Sequence, residues 1–166
     1  MEIVQAKPSD LIEILYLLKV CILDMNKKGL RHWNSAFPGP ERIQEDLDCG
    51  SIYLVKDKGV CKGMLTLNET EPDDYKEVAF PSDKHKPLYL KNMAVHPYWQ
   101  GQGIAKMMVD FAQKIAKEKG FDSIRLDVFQ PSTGARQLYE KQSFKEVASF
   151  LSAYQKTPFV CYEKQL

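Results

Sequence analysis

The apolar and polar positions of this chain follow two periodicities, one typical of strands and one typical of helices. Residues 88–95 form a mostly apolar run with several β-prone side chains, which predicts a strand covered on both faces. Pro97 has no backbone N–H to donate, so the strand is expected to stop at His96. Beyond it, apolar residues recur at helical spacing over 104–116. A strand, a corner and a helix are therefore predicted at the centre of the chain.

The same patterns predict the elements on either side. Capping residues and glycines set their ends, with Ser9 after Pro8 and Ser132 after Pro131 as helix N-caps. The expected order is β-α-α-β-β-β-α-β-α-β-β, a mixed sheet with helices on both faces. Besides the central strand and helix, the predicted strands are 2–6, 51–56, 60–70, 123–128, 144–150 and 159–164, and the predicted helices are 9–28, 40–50 and 132–139.

Two irregular segments interrupt this pattern. Residues 29–40 are too rich in glycine and proline for regular structure, yet they contain Trp33 and Phe37. These two aromatic side chains are expected either to anchor the core or to line a binding pocket. Residues 71–87 are polar, and a connection of this length is usually functional or mobile, although solvated charge explains most of its residues.

Composition narrows the class of protein. The chain has 166 residues, 44% of them hydrophobic and 27% charged, with a formal net charge of +1. These values predict a single soluble domain over 1–166, without a field that would recruit nucleic acid or a membrane surface. No apolar run could span a bilayer and no signal segment is evident, so a cytoplasmic location is expected. The four scattered cysteines are expected to be buried thiols rather than disulfides or metal ligands.

The corner between the central strand and helix carries the candidate chemistry. A helix start leaves amide N–H groups without intrahelical partners and carries partial positive charge. Gly101 and Gly103 permit positive φ and allow a ligand to approach the backbone closely. These features favour an anion site for a phosphate or pyrophosphate, unless the glycines serve only the turn geometry. The dinucleotide fingerprint would require glycine where Lys106 stands, and the phosphate loop of ATPases is absent from the sequence.

The pattern that does match is Q/R-x-x-G-x-G/A after a strand ending in V-H-P, and it resembles the acetyl-coenzyme A site of the GNAT N-acetyltransferase superfamily. A second segment is similar to the family's N-x-x-A-x-x-x-Y motif, here Ser132, Ala135 and Tyr139. Serine replaces the usual asparagine at Ser132 and the usual glycine at Ser143. The first change puts one hydrogen bond to the pantetheine arm in doubt. The second indicates a turn that avoids positive φ or tolerates strain.

Two further segments resemble a branch of small bacterial GNAT proteins. The segment G-L-R-H-W-N-S-A-F-P, residues 29–38, is similar to a motif near the end of that branch's first helix. The segment P-F-V-C-Y-E-K, residues 158–164, is similar to its closing strand. The resemblance implies a GNAT acyl-CoA N-acyltransferase fold of the α/β (α+β mixed sheet) class, with splayed fourth and fifth strands.

The resemblance also implies an activity, the transfer of an acetyl group from acetyl-CoA to a primary amine in a ternary complex. Tyr139 is then the candidate general acid that protonates the leaving thiolate, although a packed core tyrosine is the alternative. The expected partners are a small-molecule amine or peptide acceptor and, by a tendency of the family, a second copy of the chain. No metal is expected. The implied coenzyme-binding residues are Met93, Ala94, Val95, Gln100, Gly101, Gln102, Gly103, Ile104, Ala105, Ser132 and Ala135. The acceptor pocket is expected near Trp33, Phe37, Glu69, Tyr89 and Tyr154.

The general base stays open at this point. Family members often carry a carboxylate early in the fourth strand, and residues 88–92 contain none. Glu69 on the third strand, the acidic residues of 71–74 and His32 are the alternatives, each more commonly structural or solvated. Without a base, a non-catalytic coenzyme-binding module is a second hypothesis, and transfer of another acyl group or transfer to an oxygen acceptor is a third.

Overall fold

The pairing of seven strands defines the architecture of the computed structural model, which describes residues 1–81, 84–152 and 156–166. In this described part of the chain the strands are β1 Glu2–Gln5, β2 Ile52–Asp57, β3 Val60–Asn68, β4 Pro87–Val95, β5 Ser123–Phe129, β6 Lys145–Phe150 and β7 Phe159–Gln165. The helices are α1 Leu11–Lys27, α2 Pro40–Asp48, α3 Ile104–Glu118 and α4 Thr133–Lys141, with short 3-10 helices at Pro8–Asp10, Asp73–Tyr75 and Pro97–Trp99. The predicted order of strands and α-helices is confirmed.

The strands are hydrogen-bonded in the order β1-β2-β3-β4-β5-β7-β6, a mixed sheet as predicted. Neighbours β1 and β2, β2 and β3, β5 and β7, and β6 and β7 are antiparallel, whereas β4 and β5 are parallel. The β4–β5 register covers only Pro87 to Tyr89, opposite Ser123 to Arg125. The expected splay of the fourth and fifth strands is therefore confirmed.

The chain divides into two compact units, one of Met1–Leu67 with Asn92–Met108 and the other of Asn68–Lys91 with Val109–Leu166. In the first unit, β2 and β3 form the predicted hairpin, and Lys58 and Gly59 take φ of 50° and 79° at its turn. A hairpin with two positive φ values matches the twist of its strands. Apolar side chains of α1 and α2 are buried together with those of the strands, among them Ile14, Leu17, Ile43, Leu54 and Met64.

The start of α1 differs from its prediction. The chain first makes the 3-10 turn Pro8–Asp10, and α1 begins at Leu11. Asp10 Oδ2 accepts a hydrogen bond from the Lys7 N–H at 2.8 Å, so the carboxylate of Asp10 ties this entry together. The prediction that Ser9 is the N-cap is therefore wrong, because Ser9 lies inside the 3-10 turn. At the other end, Gly29 follows α1 with φ of 79°, as its glycine predicted.

In the second unit, β5 pairs along its whole length with β7, from Ser123 opposite Gln165 to Phe129 opposite Phe159. A cluster of buried residues, Tyr75, Tyr89 and Cys161, packs with partly buried aromatic and aliphatic side chains that include Phe80 and Phe150. Tyr75 is 1% exposed although it belongs to the polar segment between β3 and β4. That segment is thus held by an aromatic anchor.

Three of the four cysteines are buried free thiols, Cys21, Cys61 and Cys161, as expected. Cys49 is exposed, so the prediction of burial is wrong there, because it follows the last turn of α2 on its solvent side. Within the described ranges no helix combines the length and apolar character needed to cross a membrane.

Candidate functional site

The corner after β4 belongs to the first unit, and its geometry follows from its sequence. The His96 N–H donates to the Lys62 carbonyl at 2.9 Å, which is the last link between the end of β4 and β3. Pro97 then begins the 3-10 helix Pro97–Trp99, where the Tyr98 N–H donates to His96 Nδ1 at 3.2 Å. The strand therefore stops at the proline, as predicted, and the chain turns sharply towards α3.

The glycine turn that follows is exposed and open. Gly101 and Gly103 take φ of 75° and 80°, values that favour glycine. A Cβ at either position would meet no heavy atom of the described chain within 4 Å. The Met107 N–H donates to the Gly103 carbonyl at 3.0 Å, so α3 starts directly after this glycine. The first-turn amides and the positive end of the helix dipole therefore lie beside an uncrowded backbone.

Gln100 ties this turn to the end of β4. Its Nε2 donates to the Val95 carbonyl at 3.1 Å, and its Oε1 accepts from Lys28 Nζ at 3.4 Å. The same Val95 carbonyl accepts from Cys21 Sγ at 3.4 Å. Because both ends of the Gln100 amide have partners, its orientation is fixed, and Lys28, directly after α1, helps to fix it.

Gly63 on β3 is a residue that the sequence analysis missed. A Cβ there would lie 2.9 Å from the Ala94 carbonyl oxygen, 3.4 Å from Met108 Cε and 3.5 Å from Ile104 Cγ2. Glycine at this position therefore permits the close approach of β4 and of the first turns of α3. The signal was available, because a glycine inside a strand often marks a close backbone contact.

The loop after α1 contains two of the proposed acceptor residues. Trp33 is half-buried and packs against the core of the first unit, whereas Phe37 is 45% exposed. Asn34 and Phe37 exchange backbone hydrogen bonds of 2.8 and 3.2 Å, which close a tight turn. His32 is half-buried, with its ring centroid 6.2 Å from that of Trp33. Trp33 thus has the packing expected of a core anchor, and Phe37 keeps an exposed ring.

In the second unit, α4 carries the other motif. Ser132 occupies the N-cap position and is 9% exposed, but its side chain makes no capping hydrogen bond. Ser132 is therefore the N-cap residue, as predicted, although its ψ of 70° departs from the extended values typical of that position. Backbone bonds hold the site instead: the Ser132 N–H donates to Phe129 and the Arg136 N–H donates to the Ser132 carbonyl. Ala135 lies half-buried one turn before Tyr139.

Tyr139 is 6% exposed, and its ring packs against Phe144 at 5.6 Å and Tyr162 at 6.4 Å between centroids. Burial raises the pKa of the Tyr139 phenol above its ordinary value, and the negative charge of Asp127 raises it further. The phenol is therefore protonated at neutral pH.

A largely buried polar network lies where the pairing of β4 and β5 ends. The Tyr75 hydroxyl donates to Asp127 Oδ1 at 2.6 Å, and Lys91 Nζ forms an ion pair with the same oxygen. Lys91 Nζ also lies 4.9 Å from the centroid of the Tyr75 ring. Burial raises the pKa of Tyr75, and the charge of Asp127 adds to this. Asp127 carried a signal in the sequence, since it and Arg125 are the two charged residues among the apolar positions of β5.

A second network in this unit surrounds Glu163. Its Oε1 is 3.1 Å from Arg125 Nε and 3.1 Å from His85 Nδ1, and Arg125 and Glu163 are both buried. Tyr89, a proposed acceptor residue, is 5% exposed, and its ring centroid is 5.8 Å from that of Tyr75. Burial raises the pKa of Tyr89, followed by the negative charge of Glu71. Tyr89 therefore belongs to the buried aromatic cluster.

The remaining proposed acceptor residues are Glu69 and Tyr154. Glu69 was placed on the third strand, and this prediction is wrong, because β3 ends at Asn68. Its carboxylate is 59% exposed and pairs with Lys119 Nζ at 2.9 Å. Tyr154 lies outside the described residues. Among the described residues no group of three or more His, Cys, Asp or Glu side chains is arranged to hold a metal ion.

Comparison with known proteins places these features in a family. Residues 22–144 match the model of the acetyltransferase (GNAT) family. Human N-acetyltransferase 8B is 29% identical over 99 residues, which cover 60% of this chain and 40% of that protein. The [ribosomal protein bS18]-alanine N-acetyltransferase of Haemophilus ducreyi is 30% identical over 83 residues, 50% of this chain and 57% of that protein. The matches thus span only about half of the length of these two relatives.

Similarity of fold extends further than similarity of sequence. The crystal structure of the PaiA N-acetyltransferase from Thermoplasma acidophilum in complex with coenzyme A superposes with a TM-score of 0.75 at 16% identity. The alignment covers 99% of this chain and 98% of that one. With the family model matching most of its length, the chain belongs to the acetyltransferase (GNAT) family.

Proposed function

We propose that the chain transfers an acetyl group from acetyl-CoA to a primary amine of a small molecule, an amino-acid derivative or a peptide, by direct transfer in a ternary complex. The exposed turn at Gly101 and Gly103, which lies between β4 and the start of α3, carries this proposal. Two similar proteins support the proposal. One, of similar fold, has a crystal structure in complex with coenzyme A, and the other is named as an alanine N-acetyltransferase.

The turn fits a pyrophosphate. Backbone amides from Gly101 to Ala105 offer several donors, the helix dipole adds partial positive charge, and no described side chain crowds the glycines. Main-chain groups of Met93, Ala94 and Val95 are proposed to bind the pantetheine arm as an added strand would. Acetyl-CoA, when bound, supplies the activated acyl group. The chain's part is to hold and orient that group and to manage the protons.

Tyr139 is the proposed general acid, with Ser132 and Ala135 as coenzyme-binding neighbours on α4. A thiol of the cysteine type has a pKa of about 8.5 and a free phenol about 10, and burial raises that of Tyr139 further. Complete proton transfer from Tyr139 to the thiolate is therefore uphill. Its main effect is to donate a hydrogen bond to the leaving sulfur, which lowers the barrier to departure.

Two of the proposed acceptor residues are kept as contacts to the acceptor, and a third is unsuited to act as the general base. Phe37 is half-exposed and is retained as an acceptor contact, as is Trp33, four residues earlier in the same loop. Glu69 is engaged with Lys119 at the surface, which argues against Glu69 as the base. We therefore assign proton removal from the acceptor amine to no single carboxylate.

Coenzyme binding tests the proposal first. Isothermal titration calorimetry with acetyl-CoA is expected to show a Kd in the micromolar range. Gly101→Ala or Gly103→Ala should weaken binding at least tenfold, because charge-assisted hydrogen bonds of about 1.5–3 kcal/mol are disturbed. Gly120→Ala is the matched control, since Gly120 has φ of 74° with equally open surroundings at the other end of α3. If Gly120→Ala weakens binding as much as Gly101→Ala, the turn is not the coenzyme site.

Turnover tests the chemistry. Release of free thiol is measured over a panel of small amines, amino-acid amides and peptides, with acetyl, propionyl and succinyl thioesters compared. Tyr139→Phe should lower kcat about 100-fold, as expected for the loss of a hydrogen bond to the leaving sulfur, and change the Kd for acetyl-CoA less than twofold. Binding without thiol release from any amine would instead identify a non-catalytic coenzyme-binding module.

A further inference from the structure

Lys28, the residue directly after α1, reaches the glycine turn. Its Nζ is 2.6 Å from Asp24 Oδ2 and 3.4 Å from Gln100 Oε1. The side chain of Lys28 is 54% exposed and that of Asp24 is 24% exposed. Gln100 immediately precedes Gly101, so a full positive charge stands at the edge of the turn. Both residues belong to the first unit, and none of the motifs in the sequence includes Lys28.

The present partners of Lys28 leave it able to bind an anion. An ammonium group has three N–H donors, and the described contacts use two of them. One partner is the neutral Gln100 amide, and the other is the partly exposed carboxylate of Asp24, four residues earlier on α1. Because the ammonium is half exposed, water screens this pair and weakens it. A phosphate oxygen in the turn would therefore compete well with Asp24 for this ammonium.

We propose that Lys28 is a pyrophosphate-binding residue of the coenzyme site, and that Asp24 restrains it, so that this pair sets the affinity for the coenzyme. The proposal rests on the function proposed above. The contact with Gln100 selects the pyrophosphate over the 3′-phosphate, because Gln100 opens the turn whose amides are assigned to the pyrophosphate. Lys28 thus adds side-chain charge to a site otherwise built from main-chain dipoles.

Three ligands distinguish a contact with the pyrophosphate from a contact with the 3′-phosphate. Coenzyme A carries both the pyrophosphate and the 3′-phosphate, dephospho-coenzyme A carries only the pyrophosphate, and pantetheine carries neither. By calorimetry at low ionic strength, Lys28→Met is expected to weaken binding of the first two by about fivefold, the range of a half-exposed charge pair. Binding of pantetheine should not change. The difference should shrink at high salt because the contact is solvent-exposed.

Variants of the same helix supply the controls. Lys27→Met removes the same charge from the last turn of α1 and should leave all three affinities unchanged. Asp24→Asn frees Lys28 and should tighten coenzyme A binding about twofold. The same Asp24→Asn change made in Lys28→Met protein should have no effect on binding. Circular dichroism melting curves show whether each variant is folded.

The outcomes distinguish the two proposals. If wild-type protein binds no coenzyme A, the proposed function itself fails. If wild-type protein binds but Lys28→Met binds equally well, only the role of Lys28 is wrong. A loss confined to coenzyme A would assign Lys28 to the 3′-phosphate and overturn the pyrophosphate contact. An equal loss with pantetheine, or with Lys27→Met, would indicate an indirect effect and also overturn it.

Discussion

The hydroxyl of Tyr75 donates a 2.6 Å hydrogen bond to Oδ1 of Asp127, 52 residues further along the chain. Tyr75 comes from a 3-10 helix inside a segment that is otherwise polar, and Asp127 comes from the middle of β5. The bond therefore fastens the long β3–β4 connection to the sheet of the second unit. Lys91 on β4 shares the same carboxylate oxygen, so one acidic group organises two elements.

Removing the hydroxyl should destabilise the protein. Tyr75→Phe deletes a donor to a charged, largely buried acceptor while keeping the ring, so a loss of about 2 kcal/mol in unfolding free energy is expected. Urea denaturation followed by circular dichroism at pH 7 measures it. Tyr98→Phe is the control, because Tyr98 is 77% exposed. Equal stability of Tyr75→Phe and wild type would mean that the bond contributes nothing net.

Stability should also fall in alkaline solution. Tyr75 and Tyr139 have raised pKa values in the folded protein, from burial first and the charge of Asp127 second. Below an unfolded pKa of about 10 neither state ionises, so the stabilisation is fully present. Above it the unfolded chain loses protons that the folded chain keeps. Each tyrosine then subtracts about 1.4 kcal/mol per pH unit until the pH passes its folded pKa.

The test is urea denaturation between pH 8 and pH 11. Wild-type stability should begin to fall at about pH 8.5, where the unfolded thiols of Cys21, Cys61 and Cys161 ionise while burial keeps them protonated in the folded protein. The fall should steepen beyond about pH 10, where the unfolded tyrosines ionise as well. Tyr75→Phe and Tyr139→Phe should each make that fall less steep, because the substituted ring cannot ionise. A slope that neither variant changes would contradict the burial of these two phenols as the cause.

Removing one charge of the ion pair between Lys91 and Asp127 should destabilise the protein more than removing both charges. Their side chains are 19% and 13% exposed, so removing one charge leaves the other in a poorly solvated place. Lys91→Met should cost about 3 kcal/mol. The double variant Lys91→Met/Asp127→Asn should be more stable than Lys91→Met alone, since the unpaired charge is gone while an oxygen remains for Tyr75.

Chemical denaturation of the two single variants and the double variant completes the cycle. Lys114→Met is the control, because its pair with Glu118 is exposed at 71% and 55% and should contribute no measurable stability. If Asp127→Asn makes the Lys91→Met protein still less stable, the unpaired carboxylate of Asp127 is not what destabilises that protein.

Local patterns were sufficient for much of this structure. The Pro97 stop of β4 and the glycine turn before α3 follow from residues within a few positions of one another. Hydrophobic periodicity and the glycine and proline residues that end helices and strands act over that range, and the residues of the family motif are contiguous in sequence. The candidate coenzyme turn could therefore be located from sequence alone.

The polar networks could not be located in that way. Lys91 and Asp127 are 36 residues apart, and Tyr75 lies in a segment whose composition indicated solvated charge. Their meeting depends on which strands pair and where pairing stops, which no local pattern encodes. The predicted start of α1 was wrong because Ser9 and Asp10 are both favourable N-cap residues, and only the backbone conformation decides between them.

Gly63 offers a test of close packing within the first unit. A Cβ at Gly63 would lie 2.9 Å from a backbone oxygen, that of Ala94, which cannot move without shifting β4. Gly63→Ala should therefore cost about 2 kcal/mol. Gly134→Ala is the control, because Gly134 lies inside α4 with open surroundings, and alanine there should add about 0.5–1 kcal/mol of stability. Thermal and urea unfolding of both variants measure the contrast, and a neutral Gly63→Ala would show that β4 accommodates the methyl group.

Ser143 adopts a strained backbone conformation that glycine would relieve. It takes φ of 65° in the turn between α4 and β6, a left-handed conformation that costs an L-residue about 1–2 kcal/mol. Ser143→Gly removes that strain but adds about 0.4–1 kcal/mol of entropy to the unfolded chain. A net gain of roughly 0.5 kcal/mol in unfolding free energy is expected from these opposing terms. Ser143→Ala keeps the Cβ and should bring no gain, so urea denaturation of the two variants isolates the backbone effect. Should alanine stabilise the protein as much as glycine, the serine hydroxyl rather than its φ would be the source of strain.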